Sequence, residues 1–151
     1  MTHYENSTFE VRIQRLNETP GSMKLDDVSS AAAYWREKIT AMPWYDPERE
    51  MCVAVMLNAR LTAIGHSLVG IGSLNECIVH ARDVFRAAVA MGAYAVIVIH
   101  NHPSGEAVPS EADRRITRRL SEAGGIIQIS LLDHLIVSAN SCFSFREAGL
   151  V

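Results

Sequence analysis

The residues of this chain with the greatest capacity for chemistry lie in HNHPSGEAVPSEAD, His100 to Asp113, directly after the apolar run AYAVIVI. Side chains two apart on a β-strand project to the same side, so a strand ending near His100 and His102 can aim two imidazoles at one point. Pro103, Ser104 and Gly105 permit the turn that must follow. The chain can then re-enter at Pro109 as a helix whose first turn holds Asp113, three residues after Ser110. Two neutral imidazoles and one carboxylate are the protein share of a catalytic zinc site, with ligands at about 2.0–2.2 Å and a fourth tetrahedral position for water. Such an ion lowers the pKa of that water toward roughly 7, and the helix start favours developing negative charge.

A plainer reading competes. Ser-x-x-Asp is close to a capping box, and a strand-end histidine is commonly a surface residue. Capping accounts for Ser110 and Asp113, but for neither histidine nor the turn between them. The combination therefore points to a metal. The tripeptide HNH is no evidence for an HNH nuclease, whose defining residues lie far apart, and Asn101 must face away from the two histidines.

These residues need a strand and a helix to position them, and the hydrophobic pattern supplies both. AYAVIVIH reads as a central strand buried on both faces. Pro109, Ser110 and Asp113 open a helix that carries Ile116 and Leu120 inward and ends at Gly124-Gly125. Upstream, MCVAVMLN (51–58) reads as a buried strand with LTAIGHSLV (61–69) as its hairpin partner, and DVFRAAVAM as a helix capped by Gly92. Phe9, Val11 and Ile13 alternate with polar residues as a strand with one wet face, and a helix is expected from about 29 to 41, stopped by Pro43. IIQISLL and HLIVS read as two short closing strands around Asp133 and His134. Strands alternating with helices predict an α/β or α+β layered domain, a mixed sheet flanked by helices.

Composition bounds the alternatives. A chain of 151 residues with 48% apolar content is the size of one globular domain. The net charge of -3 and pI near 6.0 argue against a molecule that binds nucleic acid by its overall charge, though a local basic patch stays open. Arg114, Arg115, Arg118 and Arg119 form such a patch on the helix of Asp113, as a solvated face or as a phosphate contact without interleaved aromatics. The lack of a long apolar run or a signal-peptide plan predicts a soluble, cytoplasmic protein with no membrane partner. Cys52, Cys77 and Cys142 are odd in number and outside any C-x-x-C, which suits reduced thiols and excludes a cysteine-ligated zinc structure or a zinc nucleoside deaminase. His3, His66 and His80 have no partners in sequence, and Trp35 and Trp44 read as packing anchors.

The pattern H-x-H, seven residues, then S-x-x-D resembles the JAB/MPN (JAMM) metalloprotease domains. HNHPSG followed by PS-x-x-D, with GSLN, VHARDVFRAAV and LLDHLIVS around it, resembles the RadC branch. The resemblance runs from about Glu50 to Val151. It implies a cytidine-deaminase-like three-layer fold, divided into a leader strand and helix over 1–45 packed on a JAB/MPN domain over 46–151, without the helix-hairpin-helix module of longer RadC proteins. It also implies His100, His102 and Asp113 as ligands of one catalytic Zn2+, Ser110 as donor to the tetrahedral intermediate, and Glu50 as general base. Composition and spacing alone do not separate Glu50 from Glu48, Glu76 or Glu106. Ala81 and Asp83 depart from the proline and glutamate usual there, away from any proposed ligand. Asp133 and His134 are candidates for orienting a ligand histidine, or simply a turn before a strand. The implied activity is zinc-dependent peptidase or isopeptidase-like hydrolysis of a peptide or protein substrate. A DNA-repair-associated accessory module that contacts DNA without turnover is the alternative.

Overall fold

In the computed structural model, residues 23–72 and 79–151 are described, and the strand expected at Phe9–Ile13 lies outside them. Asp27 opens helix α1 (Val28–Tyr34) with a reciprocal cap, its carboxylate accepting from Ser30 N at 2.7 Å. The helix continues as a π-helical turn, Trp35–Ile39, closed by Thr40 N–H on Trp35 O at 3.1 Å. Strands β1 (Met51–Leu57) and β2 (Ala63–Ile71) form the expected antiparallel hairpin. Helix α2 (Ala81–Ala90) begins two residues before the expected Asp83, so Ala81 occupies the first helical position, where proline is well tolerated. Gly92, at φ 63°, takes the left-handed position after the helix. Strand β3 (Ala95–Asn101), helix α3 (Glu111–Ile127), β4 (Ser130–Val137) and β5 (Cys142–Ser144) complete the chain.

The five strands lie in the order β2-β1-β3-β4-β5, antiparallel except for the parallel pair β3/β4. Alternation along β1 and β3 divides the core in two. Met51, Val53, Val55, Leu57, Ile97 and Ile99 pack against α1 and the π-helical turn with Trp35 and Ile39. Cys52, Ala54, Met56, Val96 and Val98 pack on the other side with Val84 and Phe85 of α2 and Leu120 of α3. The result is an α/β domain in three layers, helix, mixed sheet, helices. No helix among the described residues is long and apolar enough to cross a membrane.

Two expectations are corrected. The Gly124-Gly125 pair does not end α3, which runs to Ile127 and stops at Gln128 in the left-handed region, φ 59°. Gly124 serves close approach instead, since a Cβ there would lie 2.6 Å from Ile129 O and 3.2 Å from the Phe85 ring. The two closing strands expected around Asp133 and His134 are one strand, β4, that runs through both residues. Its pairing with β3 shifts by one residue at Leu132, with Val96 opposite Leu131 but Ile97 opposite Asp133. This bulge turns His134, rather than Asp133, to the α3 side of the sheet, where Val98 and His100 lie. The short β5, which pairs with the end of β4, was not expected from the sequence.

Candidate metal centre

The site forms where the C-terminal end of β3 meets the N-terminus of α3. His100 and His102 do converge, with their Nε2 atoms 3.0 Å apart. After His102 the chain makes a tight turn, Gly105 N–H donating to His102 O at 3.1 Å with Gly105 at φ 91°. The turn brings Glu106 O to 3.0 Å from His102 Nδ1. Pro109 and Ser110 then start α3, and Asp113 reaches back toward both rings.

The capping and ligand readings of Asp113 are both realised, one on each carboxylate oxygen. Oδ2 accepts from Ser110 N–H at 2.7 Å and from the Ser110 hydroxyl at 2.8 Å, while Asp113 N–H donates to Ser110 Oγ at 3.1 Å. Oδ1 lies 3.3 Å from His100 Nε2, and Oδ2 is 3.6 Å from His102 Nε2. Ser110 is therefore at the site, with its hydroxyl engaged by Asp113. Glu50, immediately before β1, brings a carboxylate oxygen to the same point. Among the described residues, Glu50, His100, His102 and Asp113 are the group of potential ligands whose donor atoms all lie within 4.8 Å of one another. Alternation along β1 turns Glu50 to the same side as Cys52 and Ala54, the side facing α3.

Donor counting fixes the tautomers. Thr117 Oγ1 has one hydrogen, given to Asp113 O at 2.6 Å, so its contact with His134 Nδ1 at 2.7 Å must be accepted from Nδ1–H. Burial holds the His134 pKa well below its ordinary value, so the ring is neutral and its Nε2 carries a lone pair. That lone pair accepts from His100 Nδ1–H at 2.8 Å. His102 Nδ1–H donates in the same way to Glu106 O, since a carbonyl can only accept. In their neutral form both ligand candidates are thus held with Nε2 lone pairs toward the cluster, the arrangement that metal-binding histidines require of their outer partners.

The electrostatics show what the pocket favours. The largest influence on Asp113 is burial, which alone would raise its pKa; hydrogen bonds from His100 and His102 and the Ser110 N–H outweigh it and hold the carboxylate far below its usual range. His102 is raised, first by its hydrogen bond with Asp113. A negative, desolvated carboxylate beside two imidazoles describes a pocket that favours positive charge. Two imidazole nitrogens with carboxylate oxygens suit zinc in donor type and number. The wall of the cleft beyond these residues is apolar, formed by Cys52, Val79, Val98, Ile116 and Leu120.

Residues 25–150 match the family model of the RadC-like JAB domain. The chain belongs to the RadC-like JAB family. It is 43% identical over 126 residues to a UPF0758 protein of Thermotoga maritima, which covers 83% of this chain and 54% of that one. Similar proteins of Pelodictyon phaeoclathratiforme and Trichlorobacter lovleyi are 43% and 47% identical over 106 residues, 70% of this chain and 48% and 46% of theirs. The chain spans about half the length of these UPF0758 relatives.

Of the two residues considered for orienting a ligand, His134 touches His100 and Asp133 does not reach the cluster. Neighbours on a strand face opposite sides, and Asp133 accepts instead from His134 N–H, Ser144 Oγ and Arg146 N–H at 2.7, 2.7 and 3.0 Å. Sequence reasoning missed Thr117, whose position one turn after Asp113 was the available signal. It also left Asn101 without a role, as a residue that merely faces away.

Proposed function

We propose that this chain is a zinc-dependent hydrolase of the JAB type, a metallopeptidase or isopeptidase-like enzyme acting on an amide bond of a peptide or protein. The observation that carries the reading is the convergence of Glu50, His100, His102 and Asp113, with both imidazoles held through Nδ1 so that Nε2 turns to the cluster. His100, His102 and Asp113 would hold the zinc. When bound, the ion would supply Lewis acidity toward an amide carbonyl and toward water near neutral pH. Glu50, whose carboxylate lies within 4.8 Å of this triad's donor atoms, takes the proton of the attacking water and passes it to the leaving nitrogen. Ser110 swings its hydroxyl from Asp113 Oδ2 to the developing oxyanion, while its N–H keeps the carboxylate in place. A reducing, cytoplasmic setting suits three cysteines that lie outside any C-x-x-C.

Metal analysis of the purified protein tests the first half of this reading, with about one zinc per chain expected and none in H100A or D113A. Cleavage of a panel of unstructured peptides and isopeptide-linked conjugates tests the second. E50Q is expected to keep its zinc and lose roughly 10² to 10⁴-fold in turnover. Full activity in E50Q, or equal activity after chelation, would overturn the proposal. The exposed Arg115, Arg118 and Arg119 of α3 support a second, weaker reading as a DNA contact, although Arg118 lies 3.7 Å from Glu111. Salt-dependent DNA binding that survives metal removal would favour it.

A further inference from the structure

We propose that Asn101 is a positioning residue for Glu50, its side-chain amide acting as a substitute peptide group that fixes the chain on both sides of the glutamate. The inference rests on the reading of Glu50 as part of the metal site and adds the part that holds it there.

The main-chain ladder between β1 and β3 runs from Leu57↔Ala95 to Cys52↔His100. One step further, the register would set Met51 opposite Asn101 and Glu50 opposite His102. There the end of β3 is engaged with β4, Asn101 pairing with Val137 and His102 N–H donating to Val137 O at 2.9 Å. The segment that carries Glu50 is bonded by a side chain instead. Met51 N–H donates to Asn101 Oδ1 at 2.8 Å, and Asn101 Nδ2–H donates to Arg49 O at 2.9 Å. These two bonds bracket Glu50. Gly72 N–H adds a third from the β2 side, to Glu50 O at 2.7 Å.

The residue type follows from the task. A primary amide carries one donor and one acceptor side by side, which is what a strand offers its neighbour. Aspartate would keep the acceptor and lose the donor, and alanine would lose both. Asn101 is 6% exposed, so water has little access to replace either bond. Because Asn101 sits on the face opposite His100 and His102, it holds the glutamate without occupying the cleft. A displacement of about 1 Å in a catalytic group costs on the order of 10²-fold in rate, so such a clamp has a functional effect.

The test uses the full chain labelled with ¹³C at glutamate carboxyl groups and loaded with Co2+, whose unpaired electrons broaden nearby resonances. E50Q identifies the Glu50 signal. In the unaltered protein that signal is expected to be broadened strongly. In N101A, Co2+ is expected to bind at the same stoichiometry through His100, His102 and Asp113 while the Glu50 signal loses its broadening. N101D, which retains the acceptor for Met51 N–H and opposes a carboxylate oxygen to Arg49 O, is expected to show the same loss and serves if N101A does not fold. Wild-type broadening of Glu50 in a folded, Co2+-loaded N101A or N101D overturns this inference and leaves the metal reading intact. Failure of the unaltered protein to bind Co2+ overturns the metal reading itself.

Discussion

Asp113, in the first turn of α3, and Asp133, within β4, are both buried and both carry several hydrogen bonds, yet burial has opposite outcomes for them. Asp113 faces His100 and His102, and its pKa is held far below the ordinary range against the large opposing effect of desolvation. Asp133 faces Ser144 Oγ and the N–H groups of His134 and Arg146, and its pKa is raised, with burial as the largest cause and those bonds only partly offsetting it. The difference lies in the partners. Neutral donors reduce the cost of removing a carboxylate from water, while rings that can carry positive charge reverse it. Asp113 therefore sits where positive charge is favoured, and Asp133 joins β4 to β5 and the segment beyond.

The largest expected effect separates the two directly. D113A is expected to abolish stoichiometric zinc binding, measured by metal analysis after dialysis. D133A is expected to bind zinc normally and to lose about 3 kcal/mol of stability in denaturant titration, because two buried donors and one partly buried donor lose their acceptor. Loss of zinc in D133A would break the distinction between the two acids.

A second test sharpens what suits the Asp113 side to a metal. Thr117 sets the His134 tautomer, and His134 sets that of His100. T117V keeps the shape of the side chain and removes the acceptor for His134 Nδ1–H, so His134 loses its reason to present a lone pair to His100. Zinc affinity is expected to fall roughly 10 to 100-fold, the usual effect of losing an outer hydrogen-bond partner. T117S keeps the hydroxyl and should retain the affinity. Competition with a chromophoric chelator measures both.

Much of the candidate metal site is legible in the sequence, because strand alternation and helix capping are local rules. His100, His102, Ser110 and Asp113 sit in one stretch where both rules apply, and the structure brings them together. Glu50 obeys no local rule; it arrives through antiparallel register between strands some fifty residues apart, so only the resemblance to the JAB family singled it out. The face of His134 depends on a bulge at Leu132, which no residue type there announces, and without it Asp133 would have pointed to the site. The glycines of α3 misled for a related reason. Gly124-Gly125 looks like a helix stop, but Gly124 answers to the backbone of Ile129, a contact set by packing.

The smallest expected effect is the dependence of stability on pH, and here the two acids should differ in sign. Asp133 has a folded pKa above its unfolded value of about 3.9, so its contribution is fully present below that pH and is lost as pH rises through the folded pKa. D133N cannot ionise, and the stability of the unaltered protein relative to D133N is expected to decline as pH rises from about 3.5. Asp113 has a folded pKa far below 3.9, so its contribution is present above about pH 5 and is lost progressively on acidification. The stability of the unaltered protein relative to D113N is therefore expected to increase over the same rise in pH. Denaturant titrations of metal-free protein between about pH 2.5 and 5 read both differences while His102, with its raised pKa, stays protonated in the unaltered chain. Slopes of the same sign would mean that the imidazoles do not govern Asp113, and that its hydrogen bonds act on it as those of Ser144 and Arg146 act on Asp133.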